Sequence, residues 1–100
     1  MMITGSQCRA ARALTDLSRE NLAISAGVSV ETIADFERKL AEPTEDEVFA
    51  LQSALETAGA VFISDNGRGI GARLKFTKSE AKRIAILENE GGIVTPDRVP

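Results

Sequence analysis

Ser18-Arg19-Glu20-Asn21-Leu22-Ala23-Ile24-Ser25-Ala26-Gly27-Val28-Ser29-Val30-Glu31-Thr32-Ile33-Ala34-Asp35-Phe36-Glu37 reads as two short helices and the sharp turn between them. Ser18 is placed to cap the first helix: its hydroxyl can take a backbone N–H that a helix start leaves unpaired, while Leu17 and Leu22 close as a hydrophobic staple. Ser29 repeats the arrangement for the second helix, with Val28 and Ile33 as the staple pair. Between the two, Gly27 follows Ala26 and can adopt the positive φ that ends a helix without steric cost. Ala23 is small where the helices must cross closely, and Val28 fills the corner. The second helix has a buried stripe, Ile33 and Phe36, and an outward set, Val30, Glu31, Thr32 and Asp35.

The same local grammar extends in both directions. Thr4 and Gln7 form a capping box with Ile3 and Cys8 as staple, and Thr44 and Glu47 form another with Val48 at the staple position. Thr77 and Glu80 mark a fifth start, stapled by Phe76 and Ala81. Gly59 and Gly91 sit where helices would stop. Helices are therefore predicted at about 5–15, 19–26, 30–38, 45–58 and 78–90. Their inward residues are Cys8, Ala11 and Leu14; Leu22, Ala23 and Ala26; Ile33 and Phe36; Val48, Leu51 and Leu55; and Ala81, Ile84 and Leu87. Between Gly59 and Thr77 the period changes to that of strands. Ala60–Ser64 and Gly71–Phe76 flank the turn-rich Asp65-Asn66-Gly67-Arg68-Gly69, which predicts a β-hairpin that needs a covering element. The tip lacks the Gly-Lys-Ser/Thr of a phosphate loop and is read as a plain turn. Gly92–Pro100 is a tail that gains order only by docking.

Composition narrows the function. The chain has 100 residues, with 43% hydrophobic and 27% charged side chains, which suits one globular unit with a modest core. It has no His, which removes imidazole catalysis and His-ligated metal, and its one Cys can form neither an internal disulfide nor a thiolate cluster. Cys8 is read as a small buried residue. No nucleophile–base pair can be assembled, so no enzyme activity, cofactor or metal site is expected. No apolar run reaches the length of a membrane span, and Met1–Ser6 lacks the basic-then-apolar order of an export signal. The expected setting is cytoplasmic. The net charge is −3, with five basic and nine acidic side chains in residues 1–50 and seven basic and six acidic in residues 51–100.

Residues 4–58 resemble the phage-repressor-like helix-turn-helix family, also known as the Cro/repressor or xenobiotic-response-element type. The resemblance is carried by Leu22-Ala23, Gly27-Val28-Ser29, Thr32-Ile33 and Glu37. It implies a mainly α, lambda-repressor-like helical bundle, here followed by the hairpin and a C-terminal helix. It also implies binding of double-stranded operator DNA by a homodimer, and transcriptional regulation, more often repression. On this resemblance Ser29, Val30, Glu31, Thr32 and Asp35 lie at the DNA-facing start and outer side of the second helix. Arg19, where the family commonly has Gln, would clamp a phosphate. Two departures stand out. The base-facing set contains Glu31 and Asp35 and no basic or amide side chain, although a carboxylate can accept from cytosine N4 and Val30 can meet a thymine methyl. Where a Gly commonly follows the glutamate, Arg38-Lys39-Leu40 stands instead, which would lengthen the helix or add phosphate contacts.

The chain is thus divided into a helix-turn-helix unit, 1–59, and an extension, 60–100. In the extension Arg73, Lys75, Lys78, Lys82 and Arg83 place five basic charges in eleven residues against Glu80 alone. Ile84, Ala85, Ile86 and Leu87 make the last helix apolar on more than one side, which points to dimerisation through Phe62, Leu74, Phe76, Ile84 and Leu87. The alternative is a protein-interaction module on the same fold, an antitoxin or antiactivator that covers a toxin or activator protein.

Overall fold

The structure is a computed structural model and describes residues 2–75. The helix expected over 78–90, and with it Phe76, Ile84 and Leu87, lie outside the described residues. Within them the chain forms α1 (Gly5–Thr15), α2 (Arg19–Ala26), α3 (Val30–Glu37), α4 (Glu45–Thr57), β1 (Ala60–Ile63) and β2 (Gly71–Leu74). This is a small, mainly helical domain with a two-stranded antiparallel sheet.

Each helix starts on the cap read from the sequence. The Thr4, Ser18, Ser29 and Thr44 side chains accept from the backbone N–H of Gln7, Asn21, Thr32 and Glu47, and both capping boxes close. Such caps are short-range, so they form wherever the local sequence allows. The α2–α3 corner also matches: Gly27 has φ +70° and its N–H donates to the Ala23 carbonyl at 2.9 Å.

Two helix ends adopt the left-handed conformation without glycine, Asp16 (φ +59°) after α1 and Lys39 (φ +63°) after α3. At Lys39 the pattern is a Schellman turn, with Lys39 N–H on the Phe36 carbonyl (3.1 Å) and Leu40 N–H on the Asp35 carbonyl (2.8 Å). α3 therefore ends at Glu37 with Arg38 as its right-handed cap, close to the expected end, and Arg38-Lys39-Leu40 does not lengthen it. Lys39 takes up a conformation that is costly for a residue with a Cβ, and its neighbours' hydrogen bonds hold it there.

Ile3, Cys8, Ala11, Leu22, Ala23, Val28, Ile33, Phe36, Val48, Leu51, Leu55 and Ala60 form one buried cluster. Leu14, expected inward, is only half-buried, and Val30, expected on the outer face, is half-buried with its side chain packed against this cluster. A close helix contact involves Gly5. A Cβ built there would collide with the Phe36 carbonyl oxygen, so α1 and α3 approach at a distance only glycine permits.

The hairpin belongs to the same core. Its register pairs Ala60 with Leu74 and Phe62 with Ala72, and one face presents these four residues. Ala60 is buried, while Phe62 and Ala72 pack against the helical cluster. A polar tie reinforces this. The Gln7 side chain, 3% exposed, donates through Nε2 to the carbonyls of Ile63 (3.1 Å) and Gly71 (3.0 Å), and its Oε1 accepts from Thr4 N–H (3.0 Å). The division at residue 59 therefore does not coincide with a break in packing. Phe62, expected at a subunit contact, turns its side chain toward its own domain, and Leu74 lies half-buried across from Ala60.

Candidate functional site

The α2–α3 corner determines which side chains face outward. Because Ile33 and Phe36 are drawn into the core, the opposite side of α3 carries Glu31, which is exposed, and Thr32 and Asp35, which are half-buried. Ser29 is exposed at the helix start, where its hydroxyl accepts from Thr32 N–H (3.0 Å) and pairs with the Thr32 hydroxyl (2.8 Å). Both hydroxyls are thereby engaged within the helix start. Arg38 and Lys39 are exposed just after α3. Ser29, Glu31, Thr32, Asp35, Arg38 and Lys39 thus lie along one helix and its exit, whereas Val30 is partly withdrawn against the core.

The charge along this face is mixed. A shallow cleft beside α3 is lined by Thr32, Asp35, Ala41, Glu42, Pro43 and Glu47, which brings three carboxylates together. Of these, Glu47 is committed in part to the α4 cap, where its Oε1 accepts from Thr44 N–H at 2.9 Å.

Glu37 is the residue whose role the sequence reading missed. Its carboxylate is fully buried and accepts from four donors. Arg12 of α1 grips it through Nε on Oε2 and Nη2 on Oε1, both at 2.7 Å. The Cys8 thiol donates to Oε2 at 3.3 Å, and Arg19 at the start of α2 donates through Nε to Oε1 at 3.2 Å. Burial on its own would raise the Glu37 pKa, but the hydrogen bonds from Arg12 and Cys8, the Arg12 charge and the Arg19 bond together hold it below the ordinary carboxylate range. The Arg12 pKa is raised, chiefly by its hydrogen bond to Glu37. Cys8 is pushed up to about 12, first by burial and then by the adjacent Glu37 charge, so it is a hydrogen-bond donor and not a nucleophile. Among the described residues no group of His, Cys, Asp and Glu could hold a metal ion.

A signal for Glu37 was present in the sequence. It falls at i+4 from Ile33 and beside Phe36, on the buried stripe of α3, and a charge on an apolar stripe requires a partner. Arg12 occupies the matching place on α1, four residues after Cys8. Arg19, expected at a phosphate, is half-buried and bonded to Glu37.

Among the described residues, no helix is long and apolar enough to cross a membrane. Compared with known proteins, the chain matches no family model and no curated protein.

Proposed function

We propose that this protein is a sequence-specific DNA-binding transcriptional regulator of the phage-repressor-like helix-turn-helix type, a repressor that binds operator DNA as a homodimer. The observation that carries the reading is the α2–α3 corner: a left-handed Gly27, a buried Val28 and a Ser29 cap leave the start of α3 at the surface with Glu31 exposed. A helix held by its neighbours and open along one side can lie in a major groove. Glu31 and Asp35 would accept from cytosine N4, Thr32 would contact a base edge, and Arg38 and Lys39 would meet phosphate at the helix exit. In a dimer two such helices stand roughly 34 Å apart, one turn of B-DNA. Pairing is assigned to the segment holding Phe76, Ile84 and Leu87. Phe62 and Leu74, also assigned to pairing, are half-buried, and Phe62 packs on its own core as well.

Selection from a random duplex pool at low salt tests the reading. Recovery of one motif supports it, and no enrichment refutes it. Ile84→Asp in the full-length chain is expected to give a monomer in sedimentation and to lose most operator affinity, because each half-site is then bound independently.

A second reading is favoured by the carboxylates beside α3, with Asp35, Glu42 and Glu47 lining one cleft and Glu31 exposed nearby. On that reading α3 covers a basic surface of a partner protein, as an antitoxin or antiactivator would. Glu31→Gln separates the two. Loss of preference at one base pair marks a reader of DNA, while equal tightening on all duplexes marks a charge that opposes DNA.

A further inference from the structure

The buried ion cluster contains two cations and one anion. Glu37 is neutralised by Arg12, which holds both carboxylate oxygens at 2.7 Å. Arg19 is the second cation of the cluster and is attached to it through Nε alone, at 3.2 Å from Oε1, while the exposed Glu20 carboxylate also acts on Arg12. Its side chain is 25% exposed, against 0% for Glu37, so one part of Arg19 faces a rigid buried anchor and another part faces solvent. No hydrogen bond of its two terminal amino groups is seen among the described residues. A guanidinium is planar, so fixing Nε also fixes the direction in which the terminal nitrogens point.

We infer that Glu37 is a positioning residue for DNA phosphate: anchored by Arg12, it holds Arg19 through Nε and presents the terminal amino groups of Arg19 to the backbone beside the start of α2. The inference rests on the DNA-binding reading above and adds to it a residue that touches no DNA. It explains how a chain with an acidic α3 keeps one well-aimed cation at the phosphate. A long side chain free in solvent would lose rotamer freedom on binding, whereas Arg19 has already been ordered by Glu37. It also sets Arg apart from Lys at this position. An ammonium carries three donors on one rotating nitrogen and has no rigid plane whose opposite edges could bond the anchor and a phosphate at once.

The sign of one substitution distinguishes anchoring from plain electrostatics. Glu37→Gln removes a negative charge, and without anchoring the affinity for duplex DNA should rise. With anchoring it falls, by about tenfold, because Arg19 is no longer held. Arg19→Lys is expected to lose a similar factor with the salt dependence unchanged, since the charge remains. Arg19→Ala is expected to lose affinity and also to lower the slope of log K against log salt by about 0.9, one phosphate contact. In the Arg19→Ala background, Glu37→Gln should cause no further loss.

The experiment is fluorescence-anisotropy titration of the full-length chain and these variants on a selected duplex at four salt concentrations. Circular dichroism at the titration temperature checks that each variant is folded. Should Glu37→Gln fail to fold, the pair Arg19→Lys and Arg19→Ala decides by affinity and slope. Arg19→Lys binding like the wild type, Arg19→Ala with an unchanged slope, or tighter binding by folded Glu37→Gln would each overturn the inference while leaving the DNA-binding reading intact. A wild-type chain that binds no duplex overturns both.

Discussion

Gly5→Ala gives a test in which local and tertiary effects have opposite signs. Gly5 is helical and its φ is not in the left-handed region, so an alanine can adopt the backbone conformation. By helix propensity alone the change would stabilise the domain by up to about 1 kcal/mol. The structure opposes this. The new methyl would collide with the Phe36 carbonyl oxygen and crowd the carbonyl carbon and the Glu37 Cα, all backbone atoms that cannot rotate away. Relief requires α1 and α3 to separate, and overpacking of this kind typically costs about 1–3 kcal/mol. Separation would also stretch the Arg12–Glu37 contacts, which join the same two helices at 2.7 Å. The net expectation is a loss of about 1–2 kcal/mol. For a domain of this size that lowers Tm by roughly 5–15 °C. Thermal unfolding followed by circular dichroism at 222 nm measures it. A Tm equal to or above the wild-type value would refute the close α1–α3 contact and the packing argument built on it.

Three further outcomes follow from the described contacts. Glu37 has a folded pKa below its unfolded value, so its stabilising contribution is complete above the ordinary carboxylate range and is lost as pH falls through the folded value. Arg12 and Cys8 from α1 and Arg19 from α2 face it. Glu37→Gln should therefore flatten the acid limb of a stability–pH curve, and an unchanged limb would exclude Glu37 as its source. Gln7→Ala should destabilise the domain by about 1–3 kcal/mol, because the carbonyls of Ile63 and Gly71 lose a shared donor. Hydrogen exchange should then speed up in the hairpin before it does in α4, and uniform acceleration would contradict the tie. Lys39→Gly should raise stability by about 1 kcal/mol by relieving a left-handed residue, as read from urea unfolding. A loss would mean that the Lys39 side chain contributes more than its conformation costs.

The packing of the hairpin also changes what a truncation after Gly59 should do. Assigning the hairpin and the last helix to a subunit interface implies that residues 4–58 fold by themselves. With Ala60 buried and Phe62 and Ala72 on the core, the shortened chain would expose apolar surface and leave Gln7 Nε2 without its acceptors. Reduced stability is the expected result, even if the fragment stays helical.

What the sequence by itself determined were the features that rest most directly on neighbours three or four residues apart. The caps at Thr4, Ser18, Ser29 and Thr44, the Gly27 corner and the stripes Ile33–Phe36 and Val48–Leu51–Leu55 rest on i, i+3 and i, i+4 spacing, and each appears where it was read. The exit of α3 was harder, because Lys39 adopts a conformation that its own residue type disfavours and only the surrounding hydrogen bonds enforce. The remaining features join residues far apart in the chain. Arg12 meets Glu37 across 25 positions, Arg19 meets it across 18, and Gln7 reaches Ile63 and Gly71 across 56 and 64. Nothing local selects those partners. A buried charge or amide announces that it needs a partner, because leaving it unpaired is costly, but which partner it finds is settled only when the helices and the hairpin close on one core.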